Sequence, residues 1–424
     1  MPKQELIQMT ESEALTLIHA SPRIRHGEAA ARMPRLLQLL GHPEAGLPFV
    51  HVTGTNGKGS FSAMVSSMLS AAGKKTGLFI SPYIVDFKER MQINGGNIPG
   101  GTLARLVEET LPAVRQMEAE GTPCGEFMWD LALALLWFRE EKADIAVIEA
   151  GIGGAGDATI ALPRPLLSAI MGIGLEHTAL LGPTIADIAR DKAAIIKGNP
   201  ALLYPEQPPE AAAEVMRRCA GTGAQLHSPS FAGIRILSEN FTGSRFAYGG
   251  EEYFCPLAGR YQVKNAVMAI RAGELLGLSG TAVKEGLEGV RFPARMQCIS
   301  RSPLTVVDGA HNPHGMKALC ESVRALNDGR PVYALAGMME DKAVEETLSI
   351  LGPLCRKIFA VTPDSPRAMD SGKLAETAAR FCPQAIDGGW WRDGLKTAQA
   401  AAEADGALLL ICGSLFLAGD VLRG

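Results

Sequence analysis

The strongest chemical signal is a glycine-rich segment with one lysine, residues 53–60, which has the sequence TGTNGKGS. It follows the apolar run FVHVT at 49–53 and precedes a stretch with helical periodicity. In that setting glycines let backbone N–H groups face phosphates, the helix N-terminus adds positive potential, and Lys58 supplies a point charge. Gly59 replaces the Ser or Thr of the Walker pattern. The segment predicts a phosphate-binding loop, with a glycine-rich turn and a solvated lysine as the alternative.

Candidate metal ligands stand near the ends of predicted strands. Glu149 ends the apolar run in IAVIEAG, where a buried carboxylate is costly unless a cation neutralises it. Magnesium prefers oxygen ligands and keeps several waters, so one or two carboxylates beside the phosphates suffice. Ser81 and His177 hold similar positions in FISPYI and GIGLEHTALLG. The alternatives are a structural ion pair for Glu149 and a capping or core role for His177.

A helix is predicted within residues 184–198, TIADIARDKAAIIKG. Thr184 and Asp187 have the spacing of a capping box, and apolar residues follow on one face. Lys192 falls among small and apolar neighbours on the polar edge of this helix. From the sequence alone it is interpreted as a surface lysine.

A second polar cluster lies in the C-terminal part of the chain, in VVDGAHNPHG at 306–315. Asp308, His311 and Asn312 follow a predicted strand and precede a predicted helix, a position where functional polar groups collect. A turn rich in Asp, Asn, Gly and Pro has the same composition. Turn and functional site are therefore equally compatible with this segment.

These residues must be positioned by an α/β fold, because short apolar runs alternate with helical segments from about Phe49 onward. Such alternation is typical of a mostly parallel sheet. A helix beginning near Phe61 is expected to end at Gly73, which can adopt the left-handed cap conformation. The helix from Phe127 to Phe138 is apolar almost all round and should be buried. The strands predicted in this half are 49–53, 76–81, 143–151, 166–174 and 201–204.

A break in this pattern occurs at 291–303, RFPARMQCISRSP, where prolines and arginines interrupt the periodicity. We predict a linker at 295–299 between a larger N-terminal domain, 1–294, and a C-terminal domain, 300–424. The alternation restarts after the linker, with strands predicted at 304–308, 331–336, 357–362 and 407–412 and helices at 313–327, 340–351, 371–381 and 392–404.

Composition excludes several classes of protein. The 41 Lys and Arg against 45 Asp and Glu give a net charge of −4, which excludes a polybasic nucleic-acid binder. The longest apolar stretch, 407–418, is about half of the roughly 20 residues a membrane span needs, and the start of the chain lacks a signal-peptide apolar run. Eight cysteines without a CxxC pair predict reduced thiols, a cytoplasmic protein and no zinc. We expect a monomer without nucleic-acid or membrane partners, and neither flavin nor NAD.

Together these segments resemble the folylpolyglutamate synthase/dihydrofolate synthase family of Mur-type amide ligases. The likeness rests on shared order and spacing rather than on one motif. The resembling segments are TGTNGKGS (53–60), FISPYIVDFKERMQING (79–95), EFMWDLALALLWF (126–138), ADIAVIEAGIGGAGDAT (143–159), SAIMGIGLEHTALLG (168–182), IARDKAAIIK (188–197), LAGRYQVKNAVMAI (257–270), VVDGAHNPHG (306–315) and GSLFLAG (413–419).

The resemblance implies a fold and a reaction. It implies an N-terminal P-loop ATPase domain of Mur-ligase type with a mostly parallel sheet, and a smaller Rossmann-like α/β domain that serves glutamate ligation. ATP would phosphorylate a folate carboxylate, and the amine of L-glutamate would attack the acyl phosphate. Activation of this kind is needed because a carboxylate is a poor acyl donor.

The resemblance also implies roles for individual residues. The implied nucleotide site comprises Gly57, Lys58, Gly59, Ser60, Asn265, Arg295 and Asp308. Two magnesium sites would use Ser81, Glu149, His177 and a Lys192 carbamylated by carbon dioxide. The residues implied in catalysis are Lys58, His177, Lys192 and Arg295, and the candidates for the glutamate site are His311, Asn312 and Ser414. Ser414 could equally cap the helix that follows it.

One departure concerns the acid substrate. Where the family commonly has GGRLDATN, this chain has GGAGDATI at 153–160, so Ala155 and Gly156 replace an arginine and a leucine beside the expected pteridine pocket. Asp157 is retained. The lost arginine removes a planar donor, which leaves the use of dihydropteroate open. Two alternatives remain, a Mur-type ligase for a non-folate acid or cell-wall precursor and a nucleotide-regulated binding module without catalysis.

Overall fold

A computed structural model describes residues 9–424, which divide into two compact units. The first unit contains the chain up to Tyr83 together with Phe87–Phe231 and Val267–Leu287. The second contains Ile84–Asp86, Ala232–Ala266 and Glu288–Gly424. The N-terminal half therefore contributes segments to both units. The linker at 295–299 stays a prediction.

The helices occur throughout the chain, and short 3₁₀ turns supplement them. In chain order they are α1 (Glu11–His19), α2 (Glu28–Leu39), α3 (Lys58–Ala71), α4 (Gly100–Ala119), α5 (Glu126–Glu140), α6 (Thr178–Leu181), α7 (Ile185–Ala193), α8 (Pro209–Thr222), α9 (Arg260–Leu275), α10 (Gly280–Gly289), α11 (Pro313–Leu326), α12 (Val344–Leu351), α13 (Ser371–Ala378), α14 (Trp391–Ala404) and α15 (Leu415–Arg423).

The first unit is built around a mostly parallel sheet. Its strands are β1 (Phe49–Thr53), β2 (Thr76–Phe79), β3 (Met91–Ile93), β4 (Gly96–Asn97), β5 (Ile145–Glu149), β6 (Leu167–Ile170), β7 (Ala201–Leu203) and β8 (Leu226–His227). Their order in the sheet is β4-β3-β2-β5-β1-β6-β7-β8, and only the β2–β3 and β3–β4 pairs are antiparallel among the described strands. The central strands are buried along their whole length, as their continuous apolar runs predict for a sheet covered on both faces.

The second unit has two sheets. A small antiparallel sheet contains β9 (Arg235–Asn240), β10 (Gly243–Tyr248) and β11 (Glu251–Cys255). A larger sheet has the order β12-β13-β17-β14-β15-β16, from β12 (Gln297–Arg301), β13 (Leu304–Val307), β14 (Val332–Ala336), β15 (Lys357–Thr362), β16 (Ala385–Trp390) and β17 (Leu408–Cys412). All its pairs are parallel except β12–β13. The predicted α/β class, with a mostly parallel N-terminal sheet and a second α/β region, is confirmed.

The helices follow the predicted local signals. Helix α3 ends where Gly73 adopts a left-handed backbone with a φ of 79°, as predicted. Helix α5 is buried from Met128 to Phe138, and the apolar residues of this stretch belong to a large apolar cluster of the first unit. Thr184 caps α7 by accepting a hydrogen bond from the backbone N–H of Asp187. The predicted apolar faces therefore do form the core.

Some elements differ from the prediction. Strands β2, β5 and β6 end at Phe79, Glu149 and Ile170, two to four residues before the predicted ends at 81, 151 and 174. The extra apolar and glycine residues belong to loops at the carboxyl ends of these strands. No helix within residues 9–424 combines the length and apolar composition that a membrane crossing needs. All eight cysteines, which lie within the described part, are free thiols.

Candidate active site

The glycine-rich segment forms a tight loop between β1 and α3. Gly54 has a φ of 150°, and a Cβ at this position would lie 2.7 Å from the Cβ of Met171. Gly57 has a φ of 87° and precedes Lys58, the first residue of α3. The N–H groups of Thr55 and Asn56 donate to the carbonyl oxygen of Gly172 at 2.8 and 3.2 Å. The loop thus has the strand–loop–helix arrangement predicted for a phosphate site, and its close approaches require glycine.

Four adjacent parallel strands bring the metal candidates to one edge of the sheet. Glu149 is the last residue of β5, Ser81 follows β2 by two residues, and His177 follows β6 by seven residues. The glycine-rich loop follows β1, and the sheet order β2-β5-β1-β6 makes these strands neighbours. The carboxyl ends of parallel strands meet at the same edge, which is the usual position of a ligand site in this architecture.

Glu149 and Lys58 place opposite charges beside the loop. Glu149 is 2% exposed, and its Oε1 lies 3.9 Å from Nζ of Lys58. This separation is longer than a hydrogen bond, so the two groups form only a loose ion pair. The predicted alternative of a structural ion pair therefore has a partner in Lys58, and a magnesium role for Glu149 stays a prediction.

His177 has a left-handed backbone conformation, which is unusual for a residue with a Cβ. Its φ is 53°, and it precedes the single turn of α6 without capping it through its side chain. The imidazole is about one-third exposed, and its Nε2 lies 4.0 Å from Oε1 of Glu176. His177 stands at the N-cap position of α6, where its carbonyl oxygen accepts from Leu180 and Leu181 N–H, so the capping alternative holds for its backbone, whereas the exposed ring shows that the core alternative is wrong. The ring is accessible at the carboxyl edge of the sheet.

Lys192 is buried, so its interpretation as a surface lysine is wrong. Its side chain is 4% exposed, and Nζ donates a hydrogen bond of 3.0 Å to the carbonyl oxygen of Gly54 in the glycine-rich loop. Burial and, next, the positive charge of Lys58 lower the pKa of this amine from 10.5 to about 7. Burial therefore favours the uncharged form of this amine, which is the nucleophilic one.

The loop that follows Glu149 is connected to α7 through Asp191. Oδ1 of Asp191 accepts a hydrogen bond of 2.6 Å from Gly154 N–H, and its carbonyl oxygen accepts one of 3.0 Å from Ala155 N–H. Asp157 is buried and accepts hydrogen bonds from Ile152 and Thr159 within the same loop. The retained aspartate thus has a structural function in this loop. A contact between the folate and residues 155–157 stays a prediction.

His26 is a residue of this region that the sequence analysis missed. Its Nε2 lies 3.3 Å from Oδ2 of Asp191, and a Cβ at Gly156 would lie 2.3 Å from the same nitrogen. The N–H of Gly27 donates to the carbonyl oxygen of Gly156 at 3.2 Å. The imidazole of His26 therefore occupies the space beside Gly156. The only sequence signal was the loss of the family's leucine side chain at position 156.

The second unit contains the remaining nucleotide candidates. Asn265 lies in α9, is buried, and donates from Nδ2 to Oε1 of Gln262 at 3.0 Å. The guanidinium of Arg295 lies 5.4 Å from the centre of the Phe292 ring. A Cβ at Gly309 would lie 2.9 Å from Nη1 of Arg295, so the segment after β13 passes close to this side chain.

Asp308 is at the centre of a hydrogen-bond network that includes a second missed residue, Tyr261. The carboxylate is 3% exposed. Its Oδ2 accepts a hydrogen bond from the Tyr261 hydroxyl at 3.1 Å and another from Met296 N–H at 2.9 Å. Its Oδ1 accepts one from Ala310 N–H at 2.8 Å. Burial raises the pKa of Asp308, whereas the charge of Arg295 opposes this shift. Asp308 therefore organises the backbone around Arg295.

The candidates for the glutamate site have local structural functions. Asn312 caps α11 by accepting from Gly315 N–H at 2.7 Å, and the ring Nδ1 of His311 lies 2.9 Å from the carbonyl oxygen of Gly309. Ser414 caps α15 by accepting from Leu417 N–H at 3.0 Å. The capping alternative for Ser414 is confirmed. A role in glutamate binding for these three residues stays a prediction.

The chain offers few conventional metal ligands in one place. Within residues 9–424 no group of three or more His, Cys, Asp and Glu side chains is arranged to hold a metal ion. Glu149 and His177 would therefore need additional oxygen ligands from Ser81, from a modified Lys192, from water or from the nucleotide. Such an oxygen-rich set, completed by the substrate's phosphates, is the one that magnesium prefers.

Comparisons with known proteins identify extensive similarity. Residues 294–415 match the family model described as Mur ligase, glutamate ligase domain. The chain is 32% identical over 430 residues to folylpolyglutamate synthase of Lacticaseibacillus casei, covering 97% of this chain and 98% of that protein. It is 30% identical over 428 residues to dihydrofolate synthase/folylpolyglutamate synthase of Bacillus subtilis, covering 97% and 98%. The structure of Mycobacterium tuberculosis folylpolyglutamate synthase complexed with ADP matches with a TM-score of 0.89 and 28% identity over 98% of both chains.

Proposed function

The chain belongs to the folylpolyglutamate synthase family of Mur-type ligases, and on this premise we propose how its residues carry out ATP-dependent ligation of L-glutamate to a folate. A folate carboxylate oxygen attacks the γ-phosphorus of ATP, and ADP leaves. The glutamate amine then attacks the acyl carbon of the acyl phosphate and loses a proton. Inorganic phosphate leaves with one oxygen from the original carboxylate.

The glycine-rich loop binds the phosphates of ATP in this proposal. The backbone N–H groups at the start of α3 and the ammonium of Lys58 face the phosphate chain, with Gly57, Gly59 and Ser60 allowing its close approach. Phosphoryl transfer depends mainly on positioning and on neutralising the charge of the transferred group. Lys58 therefore stabilises the negative charge that moves toward the leaving ADP.

Glu149, Ser81 and His177 would hold magnesium at two sites. The fit rests on their chemistry and location, because a buried carboxylate, a hydroxyl and an accessible imidazole follow neighbouring strands at one sheet edge. A magnesium ion bound there supplies positive charge to the phosphates. Nζ of Lys58 lies 3.9 Å from the Glu149 carboxylate. A magnesium ion bound to this carboxylate would lie closer to it than the lysine does and would neutralise its charge instead.

Lys192 is carbamylated in this proposal. Its uncharged amine attacks carbon dioxide, a C–N bond forms, and one proton is released to water. The resulting carbamate has anionic oxygens, which suit magnesium, whereas an ammonium would repel it. Burial beside the carbonyl oxygen of Gly54 keeps this group at the phosphate loop.

The second unit contributes charge and recognition. Arg295 stabilises the transferred phosphoryl group, Asn265 and Asp308 contribute to the nucleotide site, and His311, Asn312 and Ser414 remain the candidates for glutamate binding. We further propose a monomer that acts in the cytoplasm on small molecules only, namely ATP, L-glutamate and a reduced folate, without a nucleic-acid or membrane partner. No flavin, NAD or zinc enters the proposed reaction.

The observation that carries these residue assignments is the convergence of Lys58 and buried Lys192 on one glycine-rich loop. The test incubates the protein with ATP, magnesium, glutamate and a panel of reduced folates together with dihydropteroate. Product mass and released phosphate are measured. Folate-dependent mass gains of one glutamate are expected, and phosphate release without any glutamylated product would contradict the proposal. Product from dihydropteroate would establish a second activity.

The role of Lys192 has its own test. Lys192→Ala should lose turnover almost completely, and intact-protein mass spectrometry in bicarbonate should detect a carbon dioxide adduct in the wild type but not in this variant. Lys197 is the matched control, because its Nζ also donates to backbone carbonyls, those of Ile160 and Leu162. Lys197→Ala should lose stability but retain the adduct. Near-normal turnover of Lys192→Ala would refute the assignment.

A further inference from the structure

Arg295 is held in a strained segment of backbone. The residues on either side of it, Ala294 and Met296, have φ values of 50° and 46°. The left-handed region is unfavourable for residues with a Cβ, and such conformations persist only where surrounding contacts hold them. Two of them around one arginine indicate that the direction of this side chain is imposed by its neighbours.

Hydrogen bonds to residues outside it hold this bend, which comprises residues 294–296. The N–H of Ala294 donates to Oε1 of Gln297 at 3.1 Å, and its carbonyl oxygen accepts from Gly309 N–H at 2.9 Å. The N–H of Met296 donates to Oδ2 of Asp308 at 2.9 Å. Asp308 is therefore the side chain that holds the C-terminal side of the bend.

Tyr261 shares the same carboxylate oxygen. Tyr261 lies in the first turn of α9, and its hydroxyl donates to Oδ2 of Asp308 at 3.1 Å. Its ring also packs close to the bend, because a Cβ at Gly259 would lie 2.8 Å from Cε1 of Tyr261 and 3.0 Å from Sδ of Met296. Gly259 has a φ of 99°, so glycine permits both the turn and this close packing.

We propose that Tyr261 is a positioning residue of the nucleotide site, because its hydroxyl connects α9 through Asp308 to the bend that carries Arg295. Asn265 lies four residues further along α9 and therefore on the same face as Tyr261. The Tyr261 hydroxyl thus links the helix that contains Asn265 to the bend that contains Arg295. This inference rests on the proposed function, which assigns Arg295 and Asn265 to ATP.

The test compares two tyrosine-to-phenylalanine variants. Tyr261→Phe keeps the ring and removes the hydrogen bond to Asp308. Tyr333→Phe is the matched control, since Tyr333 is a buried tyrosine of the same unit whose hydroxyl also donates to a carboxylate, that of Asp405. Both variants lose one phenol–carboxylate hydrogen bond, but only Tyr261 adjoins the bend that carries Arg295.

Tyr261→Phe is expected to raise the KM for ATP and the Kd for ADP about tenfold, the effect of one lost hydrogen bond to a charged group. The KM for glutamate should change less than about twofold. Tyr333→Phe should lose thermal stability with unchanged nucleotide affinity. If both variants lose similar stability and both bind ADP as the wild type does, Tyr261 is only structural and the inference fails. The ADP titration needs no folate, so this failure is distinct from a failure to detect glutamylated product.

Discussion

Asp130 is a buried acid whose replacement should stabilise the protein. It lies in α5 with no exposed surface, and neither carboxylate oxygen accepts a hydrogen bond within the described part of the chain. The nearest cation is Arg90, whose Nε is 3.5 Å from Oδ2. Burial raises the pKa of Asp130 from 3.8 to about 7, the charge of Arg90 opposes this shift, and Glu126 adds to it.

The sign of the effect follows from proton binding. Between pH 3.8 and 7 the folded protein binds a proton at Asp130 that the unfolded chain does not, so stability falls as the pH rises through this range. The difference between the two pKa values corresponds to about 4 kcal/mol, at 1.36 kcal/mol per pH unit. Asparagine resembles the protonated acid in shape and has no such penalty.

Asp130→Asn should therefore gain about 2–4 kcal/mol of unfolding free energy at pH 8 and close to none at pH 4. The shifted pKa already includes the attraction of Arg90, and the lower figure allows for the cost of burying the polar amide of asparagine. Arg90 keeps its ion pair with Glu126 at 3.5 Å and its position over the rings of Tyr83 and Phe87. The asparagine side-chain oxygen can also accept from Arg90.

Urea denaturation of the wild type and the variant at pH 4, 6 and 8 measures this gain. Asp144→Asn is a suitable control, because Asp144 is an exposed aspartate of the same unit. Its effect on stability should not follow the same pH profile. A variant less stable than the wild type at pH 8 would refute the reasoning, since Arg90 would then outweigh the burial of the carboxylate.

Three further predictions concern the reaction. Lys58→Met should lower turnover about 10²–10³-fold, because it removes a charge that stabilises the transition state. Initial rates at saturating ATP measure this effect. A rate near that of the wild type would contradict the proposed role of Lys58. Gly156→Ala should displace the His26 ring and raise the KM for folate, whereas Gly221→Ala, whose Cβ would meet no atom within 4 Å, should leave that KM unchanged. Folate labelled with ¹⁸O in its carboxylate should transfer one labelled oxygen to inorganic phosphate, as mass spectrometry of the phosphate would detect; unlabelled phosphate would exclude an acyl phosphate.

The buried strands were predictable because each is a local apolar run, whereas the half-exposed edge strand β16 has no such run and was not predicted. Continuous apolar runs in the sequence coincide with strands β1 and β5. Apolar residues at helical spacing coincide with helix α3. The strand ends were less predictable. Glycine and apolar residues continue past Glu149 and Ile170 into the loops, so composition there does not distinguish a strand from the loop that follows it.

Site residues that belong to one sequence motif could be predicted. Site residues whose environment depends on a contact with a residue far away in the sequence could not. The Lys58 loop has a recognisable spacing, but the burial of Lys192 depends on how α7 packs against residue 54, which is 138 residues away. His26 and Asp191 are separated by 165 residues, and Tyr261 and Asp308 by 47. A side chain's position on a helix does not reveal such contacts.

The buried polar candidates differ in how many hydrogen bonds the fold gives their side chains. Asp157 and Asp308 accept three hydrogen bonds each from their own surroundings, so both carboxylates have partners within the fold before any ligand binds. Lys192 differs, because burial makes its charged form unfavourable and, within residues 9–424, its amine has one hydrogen bond, to the carbonyl oxygen of Gly54. A buried amine contributes little to stability in this state. Its position beside the glycine-rich loop is consistent with the proposed role of this amine in the reaction.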